Sequence, residues 1–165
     1  MNSVIRKANE SDIDFMLSLD KEYFEEYIVS VDGKFDESIW RKYLNSDLSR
    51  AAVQLNESQR IGYFRYSELH EESEKFAYLR VIAITKQMQN QGFGKTLYLH
   101  FESEIKKQGH SIIRLSCPLS SNAIAWYPKL GFKYFEKTEN SIKYEKFMVL
   151  QKFPPDCNSP LQGGR

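Results

Sequence analysis

An apolar, β-branched run at residues 78–85 is followed, after a short polar stretch, by Gln89-Asn90-Gln91-Gly92-Phe93-Gly94 and then by an amphipathic pattern. The run reads as a buried strand. Gly94, Leu97, Tyr98, Phe101 and Ile105 recur at helical spacing, and the apolar face they form ends near Gly109. A buried strand that feeds a one-faced helix through a glycine-bearing loop demands a sheet with that helix laid on it. A helix opening at about Gln91 directs its free N–H groups and positive dipole end back into the loop, which makes the junction an anion site. Gly92 and Gly94 keep side chains from standing between that backbone and bound oxygens.

The loop is neither a dinucleotide fingerprint, which needs Gly-x-Gly-x-x-Gly and a later acidic strand end, nor a Gly-x-x-x-x-Gly-Lys-Ser/Thr phosphate loop. By itself it also suits a plain turn in which glycine lets helix and sheet pack closely. With Gln89, Gly92 and Gly94 in place it resembles the acetyl-CoA pyrophosphate loop of the GNAT superfamily of N-acetyltransferases. A second stretch resembles another motif of that family, Ala-x-x-Leu-Tyr-x-x-x-Gly-Phe: Ala123-Ile124-Ala125-Trp126-Tyr127-Pro128-Lys129-Leu130-Gly131-Phe132, with Trp126 where Leu is usual. The specific resemblance covers about residues 76–132, and the order of elements extends it to about residue 151.

The resemblance implies an α/β (α+β) GNAT fold: a mixed, mostly antiparallel central sheet, splayed near its middle and flanked by helices. It implies acetyl-CoA as cosubstrate, with no metal. The backbone of Ile82, Ala83 and Ile84 would pair with the pantetheine arm, the Ile82 N–H polarising the thioester carbonyl. Gln89, Asn90, Gln91, Gly92, Phe93, Gly94 and Lys95 form the pyrophosphate loop and helix start. Tyr127 holds the general-acid position; read from its position alone, it is equally an aromatic packed on the sheet, like Trp126. The position usual for an Asn contact to CoA is Ser120, with Asn122 two residues later. Either one makes the contact, or Ser120 or Ser121 simply caps a short helix.

The proton acceptor departs from the family pattern. A substrate amine with a pKa near 10 is mostly protonated at neutral pH and must lose a proton before attack. The two positions where relatives carry an acid are here Tyr78 and Ser116. Substitutes are Glu68, His70, Glu71 and Glu72 before the motif strand, or Glu25 and Glu26 on the first helix. Each also reads as a solvated charge, or as part of an acidic cluster that attracts a cationic substrate. His100 and His110 are assigned no role.

With 165 residues and 41% hydrophobic content, the chain suits one domain with a real core. That domain is expected over residues 1–152, with residues 153–165, rich in Pro, Gly and polar residues, as a loose tail. A net charge of +1 gives no electrostatic case for nucleic acid. No apolar run approaches a membrane span, and no signal-peptide core stands at the start, so a cytoplasmic protein without a membrane partner is expected. Cys117 and Cys157 form neither a disulfide framework nor a metal-ligand spacing, and Cys117 reads as a core residue.

The rest of the chain reads as a strand at residues 3–7 and a helix opening at Ser11 with an apolar stripe interrupted at Asp20. A break at residues 31–34 and a short helix over residues 36–45 follow. Next come a hairpin of strands near 51–55 and 61–69, an acidic loop at 70–74, and the motif strand and helix. A strand at 112–117, a short helix, and closing strands near 133–137 and 144–151 complete the order. The expected function is acetyl transfer from acetyl-CoA to a primary amine of a small molecule. Other readings are a protein or peptide acceptor, a noncatalytic acyl-CoA-binding module, and a toxin-like enzyme acting on charged tRNA, which the near-neutral charge does not support. Exposed strand edges suit pairing into a homodimer.

Overall fold

Alternating strand residues bury on two faces, and helices cover both. The computed structural model describes residues 3–32, 37–47 and 49–150. The expected C-terminal tail and Cys157 lie outside the described residues. The described residues form seven strands: β1 (Ser3–Lys7), β2 (Ser49–Asn56), β3 (Gln59–Glu71), β4 (Glu74–Ile84), β5 (Ile112–Pro118), β6 (Lys133–Lys137) and β7 (Ser141–Phe147). The helices are α1 (Ile13–Asp32), α2 (Glu37–Leu44) and α3 (Phe93–Lys107). The strands form one sheet in the order β1-β2-β3-β4-β5-β7-β6, antiparallel throughout except between β4 and β5. This is the mixed, mostly antiparallel sheet with flanking helices expected of the GNAT fold.

The central seam is short. β4 and β5 pair only at Ala77 with Ile113, Tyr78 with Arg114 and Leu79 with Leu115. Along its other edge β4 pairs with β3 from Glu74 to Ile84, interrupted by one irregularity: Arg65 lies opposite Val81 and Tyr66 opposite Leu79, so Arg80 is left without a partner. An extra residue of this kind bends a strand and inverts its alternation. Accordingly Ala77, Leu79 and Ile84 face the α3 side, while Val81 and Ala83 face the α1 and α2 side. The bulge sits where β4 parts from β5.

Phe93, Leu97, Tyr98, Phe101 and Ile105 of α3 are buried against Phe64, Tyr66, Leu79, Ile113 and Leu115. Burying each such side chain contributes roughly 1.5–3 kcal/mol. The opposite core gathers Ile13, Met16 and Leu19 of α1 and Trp40 of α2 against Val53, Tyr63, Val81 and Ala83. Asp20, read from the sequence as an interruption of the apolar stripe, is buried there. Its Oδ2 accepts the Trp40 indole N–H at 3.1 Å, and burial pushes its carboxyl up to about 7 against the pull of Arg65.

Two ionic clusters clamp the layers. Buried Asp12 accepts both Arg6 guanidinium nitrogens at 2.7 and 2.8 Å, the Arg60 Nε at 2.6 Å and the Asn9 backbone N–H at 2.9 Å. Burial opposes its ionisation, but these donors prevail and hold its carboxyl at about 2. On the α3 side, the Lys146 ammonium donates to Glu102 Oε2 at 2.6 Å and to the Leu130 carbonyl at 2.7 Å, joining β7 to α3 and to the segment before β6.

Several local expectations need correction. The N-terminal cap is Asn9, not Ser11: its side chain accepts the Ser11 N–H and its own N–H is held by Asp12, so a 3-10 turn at Glu10–Asp12 precedes α1. The expected acidic loop at 70–74 is a tight hairpin, because β3 runs to Glu71 and β4 starts at Glu74, with Glu72 taking φ 53° in the turn. The short helix after β5 is a pair of 3-10 turns, Asn122–Ala125 and Tyr127–Leu130. Pro128 has no N–H to return to the Ile124 carbonyl, which an α-helix would require. That carbonyl instead accepts the Tyr144 hydroxyl at 3.1 Å. The last strand lies at Ser141–Phe147, ahead of the 144–151 expected for it.

Candidate active site

Where β4 leaves β5, a groove of about 580 Å³ opens, walled by β4 residues 79–84, the end of β5 and the segment after it, the loop before α3, and α1. Its floor follows from strand geometry. The Thr85 N–H bonds the Ile61 carbonyl of β3 at 2.8 Å, and in an antiparallel pair the groups facing a given neighbour recur every second residue. Ala83, opposite Tyr63, therefore turns its N–H and C=O toward β3, while those of Ile82 and Ile84 turn toward the open edge. The Ile84 carbonyl already accepts the Gln89 amide at 3.0 Å and the Tyr23 hydroxyl at 3.2 Å. Within residues 82–84, the Ile82 N–H and C=O and the Ile84 N–H thus face the open side.

The loop meets α3 through two left-handed residues, Asn90 at φ 60° and Gly92 at φ 89°, the latter the helix N-cap. The Thr96 N–H to Gly92 carbonyl bond, 3.1 Å, is the first helical rung. The N–H groups of Phe93, Gly94 and Lys95 come before it and have no carbonyl one turn back. They form the N-terminus of a 15-residue helix, suited to an anion. The helix starts at Phe93, two residues later than the sequence indicates. Gln89, Asn90, Gly92 and Gly94 line the groove. Phe93 is buried in the α3 core, and the Gln91 amide donates to the Gln87 carbonyl at 2.8 Å. The Gln89 amide also donates to the Tyr23 hydroxyl at 3.1 Å, so its side chain ties the loop to β4 and α1.

Tyr127 lines the groove opposite β4 although only 7% of it is exposed. Its ring is held among those of Trp126, Phe132 and Tyr144, with centroids 5.4, 5.6 and 5.7 Å away. Burial, with smaller contributions from Cys117 and Tyr144, pushes its phenol well above the ordinary value, so it holds its proton at neutral pH. Ser121 caps the first 3-10 turn, its side chain accepting the Ala123 N–H at 3.2 Å. Ser120 and Asn122 are both exposed and both line the groove. Cys117 lines it too, buried, with burial raising its thiol.

The substitute proton acceptors sort clearly. Glu68 pairs with Lys75 at 3.2 Å and Glu71 with Arg114 at 2.9 Å, and neither these nor His70 or Glu72 line the groove. The side chains of Glu25 and Glu26 lie outside the described residues. Among the described residues, Glu22 of α1 is the carboxylate that lines the groove, together with Tyr23 and Phe24. Sequence reading missed these three and Arg80. The signal available for Tyr23 and Phe24 was the apolar stripe of α1, which gives no hint of a groove. The Ser116 hydroxyl is taken by Ser141 at 2.8 Å.

Residues 13–132 match the model of the acetyltransferase (GNAT) family. Among solved structures, PaiA N-acetyltransferase from Thermoplasma acidophilum, in complex with coenzyme A, superposes with a TM-score of 0.76 at 22% identity, over 89% of this chain and 99% of that one. Arabidopsis thaliana NAA60, in complex with a bisubstrate analogue, gives 0.75 at 12% identity over 90% and 99%. The ribosomal-protein-S18-alanine N-acetyltransferase of Escherichia coli gives 0.70 at 16% over 94% and 98%. No curated protein matches the chain by sequence.

Proposed function

Because the chain belongs to the GNAT acetyltransferase family, we propose that it moves the acetyl group of acetyl-CoA to a primary amine of a small molecule. The observation that carries this reading is the unpaired edge of β4 at Ile82, which faces Tyr127 across one groove and leads to the N-terminus of α3. The fit to acetyl-CoA rests on the same features: a free strand edge for an amide-bearing arm, two left-handed residues, and a helix N-terminus for phosphate oxygens. Acetyl-CoA, when bound, supplies the activated acyl carbon.

The Ile82 N–H donates to the thioester oxygen and stabilises charge developing on it, a contribution worth a few kcal/mol at comparable sites. The amine nitrogen forms the new C–N bond with its lone pair, the C–S bond breaks, and the departing thiolate takes the Tyr127 proton. Glu22, through water, takes the proton that the entering ammonium must lose before attack and releases it to solvent; the proton left on nitrogen after attack goes to water, and solvent restores the phenol. Removing Tyr127 from water disfavours the phenolate, so the phenol keeps its proton until the thiolate departs.

The test is CoA thiol release over a panel of polyamines, amino sugars, amino acids and short peptides. Tyr127→Phe is expected to lower turnover roughly 100-fold while leaving acetyl-CoA affinity unchanged. An unchanged rate removes Tyr127 from the chemistry. One observation favours a noncatalytic acyl-CoA-binding module: neither Tyr78 nor Ser116 supplies a carboxylate. Tight acetyl-CoA binding without transfer to any amine, peptides included, would establish that alternative.

A further inference from the structure

Among the described residues, Arg80 stands in the groove without a counter-charge. It is the extra residue of the β4 bulge, at the point where the strand leaves β5, and bulges beside active sites commonly re-aim a side chain. Its guanidinium carbon lies 4.6 Å from the centre of the Tyr78 ring, and its Nε reaches the Ser67 hydroxyl at 3.4 Å. These contacts hold the stem and the plane of the guanidinium, and its side chain is exposed where it lines the groove. Among the described residues no carboxylate pairs with Arg80, whereas Arg6, Arg41, Arg50, Arg60 and Arg114 each meet one within 4 Å.

We propose that Arg80 binds a carboxylate of the acceptor, which makes the acceptor a small amino-carboxylate such as a free amino acid. The inference rests on the acetyltransferase reading and narrows it. A guanidinium offers two parallel N–H donors at the spacing of carboxylate oxygens, and stacking on an aromatic ring reduces the freedom lost on binding. Arg80 and Ile82 are two residues apart along β4, about 6 to 7 Å of strand. Both line the same groove, so an acceptor whose carboxylate meets the fork can present its amine toward the carbonyl that the Ile82 N–H polarises. Glu22 supplies the opposite charge for the ammonium end as it enters.

The test compares amino acids of increasing chain length with their amides and with the corresponding decarboxylated amines, using the full chain, Arg80→Gln and Arg80→Lys. Acetyl-CoA affinity is measured separately by titration. The expected result is a preference of the wild type for the carboxylate-bearing member of a set. In Arg80→Gln that preference falls roughly 10- to 100-fold through KM, with kcat and acetyl-CoA affinity nearly unchanged, and Arg80→Lys recovers part of it. Equal use of acids and amides by the wild type, or an Arg80→Gln effect equal on both, overturns the proposal. Transfer to amides or simple amines alone overturns it while leaving the acetyltransferase reading intact. No transfer to any amine together with no acetyl-CoA binding overturns both.

Discussion

The two edges of β4 have opposite characters. On the β3 side the ladder runs from Glu74 to Ile84, and it continues through β2 to β1, where Asp12 joins Arg6 of β1 to Arg60 of β3. On the β5 side three residue pairs hold, and beyond Leu79 the edge is open. One strand thus serves as interior wall and as binding surface, and the change between the two roles takes place at the Arg80 bulge. The difference teaches that stability and chemistry have been given separate edges, so substitutions on the two sides should separate in what they damage.

The sharpest challenge to that separation is Asp12→Asn. Asp12 is fully buried and anchors two arginines that remain partly exposed, so the substitution should cost about 2 kcal/mol of stability in urea unfolding. Acetyl transfer by the molecules that remain folded should be unchanged. A large fall in kcat at full foldedness would break the comparison. The pH dependence supports the same check. The Asp12 carboxyl is depressed to about 2 in the folded state, so its contribution is fully present above the unfolded value near 4 and is lost as pH falls through about 2. The variant should lack that part of the acid-side loss.

Asp20 sharpens the comparison from the opposite sign. Its carboxyl is raised to about 7, so folding favours its neutral form and the penalty for ionising it grows from about pH 4 to about pH 7. Asp20→Asn should therefore stabilise the protein at pH 8 and scarcely at all at pH 4, by melting temperature. A gain that is the same at both pH values would show that ionisation of Asp20 is not the cause. The smallest effect is expected on the open side. Gly92→Ala places a side chain at φ 89°, a strain of about 1 to 2 kcal/mol, with no clash to add, since an added Cβ meets nothing within 4 Å. In the free protein the loop can relax away from that conformation, so the cost falls on binding: acetyl-CoA affinity should fall about 10-fold, with little change in melting temperature. A large fall in melting temperature with intact binding would mean that the loop belongs to the stabilising edge after all.

Much of this was legible in the chain. The spacing of Leu97, Tyr98, Phe101 and Ile105 announced α3, and the β-branched run announced β4, because a local apolar period reports directly on the face a core will cover. The order of Gly92, Gly94 and Tyr127 pointed to the groove they line. What stayed hidden depended on partners far along the chain. The Arg80 bulge is a property of pairing register with Arg65 and Tyr66, and no pattern within β4 reveals it. Glu68 and Glu71 looked like candidates because sequence proximity to the motif strand said nothing of Lys75, His110 and Arg114, which hold them elsewhere. Pro128 did carry a signal for the broken helix, but the use of the freed Ile124 carbonyl by Tyr144 needed the fold. Glu22 was hidden as one more charge on an amphipathic helix.

The three-pair seam also says something about how the molecule comes into being. β2, β3 and β4 follow one another through two hairpins, whereas joining β5 to β4 requires the chain to travel through all of α3 and return parallel. Closing that crossover costs more chain entropy and is rewarded by only three backbone pairs, so the seam should assemble late and open early. Hydrogen exchange would then show the amides of Ile113 and Leu115 less protected than those of Tyr63 and Phe64, with the gap narrowing when a ligand fills the groove. The enzyme would gain its reactive surface late in folding, after the β2–β3–β4 meander is already secure.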